Sequence, residues 1–253
     1  MRTSRCVLAW LCLLLGSLAL ACTASGPASA RREREPSLAE VVARHTQALG
    51  GAAAIEGIDS LRYELDIVEP AFTVRATYVV DRRGRMRIDV YSGEKRVFTE
   101  AFDGRSGWQL GADGEAPRDA SPEGAAALWH GTQYPTNILG LHEMAARGHR
   151  VELAGDHALR LVLSDGWEMR YTLDPATHLI ARAQDERALH PDLDPTVKRL
   201  ETVWSDYRPL GGTHKPFRSI QIDLATGAVV QTATITKAEV NPPLESSLFA
   251  RPS

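Results

Sequence analysis

The sequence predicts an α+β fold that is mainly β: a single antiparallel sheet of about eleven strands, one N-terminal helix and a short helical insertion. Three observations carry this. Apolar and polar residues alternate with period two in successive runs, with Leu61, Tyr63, Leu65 and Ile67 in one phase and Arg62, Glu64 and Asp66 in the other. Turn signals such as Arg83-Gly84, Ser92-Gly93 and Asp165-Gly166 part these runs at hairpin spacing, and hairpin-joined strands pair antiparallel. Helical periodicity is confined to residues 37–51 and 123–147.

The first 21 residues stand outside that fold. Arg2 and Arg5 make a positive start, and residues 6–21 are an apolar run of signal-peptide length, short for a bilayer span. This is an export signal with two readings of its cleavage. Ala19-Leu20-Ala21 before Cys22 satisfies the small-residue rule and resembles a bacterial lipobox, with Leu18 one place early. Acylation of Cys22 would give an N-terminal lipid anchor, since each buried methylene contributes about 0.8 kcal/mol and more than one chain is attached. Plain secretion, by cleavage at that point or after Ala28-Ser29-Ala30, is the alternative. Residues 22–36 are rich in Ala, Ser, Gly, Pro and charge, without periodicity, and read as a flexible tether. Residues 37–253 are left for one domain, with no internal repeat.

In that domain Ser37 and Glu40 form a capping box, Leu38, Val41, Val42 and Leu49 make one apolar stripe, and Gly50-Gly51 stops the helix. Strands follow through Phe72, Val74, Ala76, Tyr78 and Val80, then Met86, Ile88 and Val90. The cluster Arg82, Arg83, Arg85 and Arg87 reads as a solvated hairpin tip, or else as a contact for anionic headgroups. A Gly/Asp/Pro loop over 111–123 precedes the helical insertion 123–147, whose Gly131, Pro135, Gly140 and Gly148 suit either mobility or helix ends. Strands resume at Leu159, and a polar loop over 189–195 leads to the last hairpins and the stop at Asn241-Pro-Pro.

Composition and spacing exclude several classes of function. Without Arg2 and Arg5 the chain has 27 basic against 32 acidic residues, a net charge of −5, which does not favour nucleic acid. No cysteine follows Cys22, so the domain has neither disulfides nor a thiolate metal site. His142-Glu143 lacks a second imidazole at i+4, where Ala146 stands, and no other spacing indicates a metal. Gly104-Arg-Ser-Gly107 departs from a nucleophile elbow, Gly50-Gly51 ends a helix rather than opening one on a phosphate, and Asp185-Glu186 point to opposite faces of a strand. No catalytic residue, cofactor or metal is therefore expected.

The C-terminal fifty residues carry a resemblance. Asp206-Tyr-Arg-x-x-Gly-Gly-x-x-x-Pro-Phe-Arg218, a hairpin, and then Asn241-Pro-Pro-Leu-x-x-Ser-x-Phe-x-x-Pro252 resemble the end of LolA/LolB-like envelope proteins of bacteria. His45-Thr-Gln-Ala-Leu-Gly-Gly51, Phe102-Asp-Gly with Trp108, and Tyr171-Thr-Leu-Asp-Pro-Ala-Thr177 extend the likeness over most of the domain. The resemblance implies a strongly curved, unclosed half-barrel that holds acyl chains, with 123–147 as part of a lid over its mouth. It implies no enzyme, and partners among lipid or lipoprotein acyl chains and lipoprotein-transport machinery. The expected place is the cell envelope, at the periplasmic face of the outer membrane if Cys22 is acylated and periplasmic otherwise. On this reading Tyr63, Leu65, Tyr78, Ile88, Trp108, Trp129, Met169 and Trp204 line a lipid-binding cavity; a close-packed core is the alternative for each. An envelope sensor or scaffold that uses the same fold to hold a partner protein is the competing function.

Overall fold

Helix α1 (Leu38–Ala48) starts at the capping box that its sequence spells. Ser37 Oγ accepts from Glu40 N at 3.3 Å, and Glu40 Oε2 accepts from Ser37 N at 2.7 Å. The computed structural model describes residues 35–112 and 115–252, so the signal segment, Cys22 and nearly all of the tether lie outside the described residues. A short helix α2 (Ala52–Glu56) follows, and then the sheet.

The strands of its first half are β1 (Ser60–Glu69), β2 (Phe72–Asp81), β3 (Met86–Ser92), β4 (Lys95–Phe102), β5 (Gly107–Leu110) and β6 (Arg118–Asp119). Helix α3 (Pro122–Gln133) and two 3-10 turns (Leu141–Glu143, Ala145–Arg147) make the insertion. The second half comprises β7 (Arg150–Gly155), β8 (Ala158–Val162), β9 (Glu168–Leu173), β10 (Ile180–Arg187), β11 (Lys198–Leu210), β12 (Thr213–Asp223) and β13 (Val229–Val240). Their order is β6-β5-β4-β3-β2-β1-β13-β12-β11-β10-β9-β8-β7. Each half is a meander, and the pairing of β1 with β13 makes them one sheet.

The sheet is antiparallel throughout and unclosed, with thirteen strands where about eleven are expected. The edge strands are β6, only two residues long, and β7, at the opposite edge. A two-residue pairing such as β6 has no period to read, and β7 leaves Leu153 exposed.

Residues directly opposite in an antiparallel pair share a face, so the registers sort the side chains. Ala238, Tyr63, Tyr78, Ile88 and Glu100 form one row, and Leu159, Tyr171, Ala183 and Thr202 form another at the far arm. Buried members from both arms join one core with Val41 of α1 and with Ile138, Leu139, Leu141 and Met144 of the insertion. For distant strands to share that core the sheet must curl around it, which defines an inner face.

The outer face carries the chain end. Asn241, at φ 51°, accepts from Asp59 N at 2.7 Å and Ser60 N at 3.1 Å and donates to Gly57 O at 2.9 Å, tying the end of β13 to the start of β1. Trp108 Nε1 donates to Phe249 O at 2.9 Å, with Arg85 over the Phe249 ring and Arg87 over the Trp108 ring. The arginine cluster is thus built into the fold rather than left as a solvated tip. Arg82 Nε donates to Ile58 O at 2.9 Å and pairs with Glu143, Arg85 pairs with Asp81 at 2.6 Å, Arg87 with Asp89 at 2.8 Å, and Arg83 alone is exposed.

Gly50 closes α1 at φ +114°, and a Cβ there would lie 2.2 Å from Gly212 O, beside the bond from His214 N to Leu49 O. Gly50→Ala should lower the unfolding free energy by about 2 kcal/mol or more, from a strained φ and a forced shift of the β11–β12 turn. Chemical denaturation of the two proteins measures it, and equal midpoints would contradict the packing described.

Candidate functional site

The inner face is the concave surface this chain offers, and it falls into two parts. Near α1 it is filled: Ile138, Leu139 and Met144 of the insertion meet Leu61, Val80 and Met86 of the sheet with almost no exposure. Farther along the strands, Leu65, Tyr78, Ile88, Trp129, Trp204 and Ile235 face inward yet are only partly buried. Apolar side chains that face into a curved sheet and still meet solvent are the ones a ligand could cover.

Seven of the eight residues expected to line a cavity lie on this side. Tyr63 and Tyr78 stack with ring centroids 6.4 Å apart, and Tyr78 Oη accepts from Asn137 Nδ2 at 2.8 Å. Burial pushes both phenols far above their ordinary range, so they stay neutral. Trp204 stacks on Tyr171 at 6.3 Å, Met169 lies buried on the strand of Tyr171, and Leu65 and Ile88 sit on opposite sides of β2. Trp129 packs on the core from α3 with its ring 6.2 Å from that of His149.

Trp108 is the correction. It stands opposite Ala101, which stands opposite Arg87, so it belongs to the outer face and serves Phe249. The inward residue beside it is Gly107, opposite Phe102; a Cβ there would meet Ala125 and Leu128 of α3 at 3.1 Å. The glycine is what lets the helix lie against the inner face. From there α3 reaches the other arm, where His130 Nε2 lies 2.7 Å from Asp165 Oδ2 in the β8–β9 turn and His130 stacks on Trp167 at 4.6 Å. The insertion is therefore a bar across the opening, and Tyr134 after it stacks on Trp167 at 5.9 Å.

The sequence reasoning missed the polar residues of the inner face. Glu69 Oε1 accepts from Gln231 Nε2 at 2.7 Å, Arg187 pairs with Asp185 and donates to Gln221 Oε1 at 2.8 Å, and Gln109 Nε2 donates to Asp192 Oδ2 at 2.9 Å. Glu100 stands between Ile88 and Gln109, and among the described residues no hydrogen bond reaches its carboxyl. Its signal was available, because it falls in the phase of Phe98 and Phe102. Asp192 gives both oxygens to protein donors, Gln109 Nε2 and Ser121 N, each at 2.9 Å. Among the described residues no cluster of three His, Cys, Asp or Glu side chains is set to hold a metal, and no helix is long and apolar enough to cross a membrane. His45 is buried with Nδ1 2.8 Å from His178 O, and burial lowers it to about 4, as befits a structural histidine.

No protein-family model matches the chain, and no curated protein sequence matches it. Solved structures do match its fold. A LolA superfamily protein from Nitrosomonas europaea superposes with a TM-score of 0.52 at 10% identity, covering 85% of this chain and 98% of that one. A DUF1329 family protein from Desulfovibrio piger gives 0.54 at 9% identity, over 83% and 95% of the two chains. A domain described as outer membrane lipoprotein-sorting, from Vibrio parahaemolyticus, gives 0.53 at 10%, over 78% and 92%. Identities this low speak for the fold alone: the chain has the LolA/LolB-like fold.

Burial pushes the Glu100 carboxyl up to about 7, with His190 pulling it down and Asp192 pushing it further up. A carboxyl whose value rises on folding is held protonated more tightly by the folded chain than by the unfolded one. Its contribution is full below the unfolded value near 4.5 and is lost as pH climbs through about 7. Between about pH 5 and pH 8 the protein should lose on the order of 1–3 kcal/mol relative to Glu100→Gln, less where water reaches the group. Denaturant melts at several pH values measure the gap, and parallel curves for the two proteins would contradict it.

Proposed function

We propose that this protein is a non-enzymatic envelope lipoprotein that takes lipid or lipoprotein acyl chains into the inner trough of its half-barrel. The observation that carries the reading is the set of inward yet partly exposed apolar side chains, Leu65, Tyr78, Ile88, Trp129, Trp204 and Ile235, under the bar of α3. A sixteen-carbon chain laid there would gain on the order of 10 kcal/mol before ordering costs, so affinity would come from buried area rather than polar contacts. The fold shared with a lipoprotein-sorting domain supports the same reading, as does the expected export signal over residues 1–21, just before Cys22. On this reading the protein works from the periplasmic face of the outer membrane, held by its acylated cysteine, with lipoprotein-transport machinery as its partner.

Purified mature protein should release lipid at near one equivalent into organic extract, and after delipidation it should take up a fluorescent sixteen-carbon fatty acid. Ala233 faces inward opposite Ile67 and Ser219, so Ala233→Trp fills the trough and should cut uptake by about tenfold or more while the sheet's circular dichroism is kept. No extracted lipid and no uptake by the parent protein would end the proposal; in-cell crosslinking that captured a protein on this face would favour the scaffold reading instead.

The anchor has its own test. Cys22→Ser should abolish palmitate labelling and move the protein from the membrane to the soluble fraction. Unchanged membrane association would refute the anchor.

A further inference from the structure

The connection between β10 and β11, residues 188–197, does not turn directly from one strand to the next although the two are neighbours in the sheet. It leaves the second arm and reaches the first. His190 Nε2 lies 2.9 Å from Glu69 Oε1 on β1, a residue that also receives Gln231 of β13. Two residues on, Asp192 spans β5 and the start of α3, accepting from Gln109 Nε2 and from Ser121 N, each at 2.9 Å. The fit at α3 is close: a Cβ on Gly124 would fall 2.0 Å from Asp192 Oδ2, and the carboxylate sits where the free amides and dipole of a helix start favour an anion.

Beyond buried Ala188 at its start, these contacts are almost all that holds the segment. Residues 193–197 are exposed, Leu193 at 74% and Val197 at 63%, so little apolar burial resists release. Its own order amounts to a turn in which Leu193 N and Asp194 N donate to His190 O. Segments held by a few polar contacts sit at the low end of a protein's range of opening free energies. Beneath it lies the polar part of the inner face, with Glu100 beside the Gln109 that Asp192 grips.

We propose that residues 188–197 are a releasable strap that closes this end of the trough, with Asp192 as its clasp and His190 as a second tie, and that ligand enters where the strap lifts. The entry role rests on the trough being the lipid site; the closure itself does not. A polar clasp suits this task. Its hydrogen bonds exchange with water at little net cost, whereas an apolar lid would have to expose its own surface on opening. The strap bridges the same two arms as α3, so the trough is crossed twice, once by a packed helix and once by a segment built to let go.

The test uses the full chain with Glu100→Cys, in the parent strap and with Asp192→Ala, labelled by a water-soluble maleimide. Peptide mass spectrometry reads the modified position, which separates it from Cys6, Cys12 and Cys22. Loss of two hydrogen bonds should raise labelling at residue 100 by about tenfold or more, with a Ser92→Cys control on an exposed turn unchanged. Equal rates overturn the strap, and His190→Ala, which leaves the start of α3 intact, should move the rate in the same direction. With the fluorescent sixteen-carbon fatty acid, association and dissociation should both quicken in Asp192→Ala while Kd holds within about twofold. A weaker Kd without faster rates would make the segment a wall of the site and sink the gate. Faster labelling without uptake by any variant would overturn the entry role and the lipid reading while leaving the closure standing.

Discussion

Everything in this fold depends on one pairing, that of β1 with β13. Without it the chain would be two meanders, each with an apolar face and nothing to bury it against, since neither carries enough helix to cover itself. The ladder joins residues as distant as Arg62 and Glu239, which also pair through their side chains at 3.3 Å. Asn241 locks it at the α1 end, and the outer-face contact of Phe249 with Trp108 holds the segment beyond it. Once the ladder is made, the two arms face each other, and the inner surface exists only because they do.

That surface is covered by four pieces of chain, and their chemistries differ. Helix α1 and residues 138–144 supply aliphatic side chains and make a dry core. Helix α3 supplies a bar, held on a glycine at one end and on a histidine–aspartate contact at the other. The β10–β11 connection, past buried Ala188, is held by polar contacts. Leu65, Ile88 and Ile235 lie where this aliphatic cover runs out and stay only partly buried.

Period-two alternation made the strands and their inward residues legible, and the capping box made α1 so, because both signals are local. The registers around Tyr63 and Tyr78 followed from short turns. Trp108 escaped because its size suggested a cavity, while its face is set by parity: the glycine beside it, not the tryptophan, points inward. Glu100 was legible and overlooked, an acid in an apolar phase between Phe98 and Phe102. Asp192 was not legible at all. Its partners lie 83 and 71 residues away, and nothing near an Asp-Leu-Asp sequence tells of a helix start across the barrel. The arginines of the β2–β3 turn read as solvated for the same reason, since Glu143 and the carbonyl of Leu248 come from far along the chain.

The latch between first and last strands also acts as a clock. A meander whose central neighbour is the final strand to be made cannot complete its sheet while synthesis is in progress, and contacts of such long sequence separation are slow to form in any case. The ladder that joins the two meanders waits on β13, which follows every other strand of the sheet in the chain. The N-terminal half waits, with its apolar face unsatisfied, for a partner that arrives only after the rest of the sheet has been made. Topology in this sense sets when the half-barrel can close.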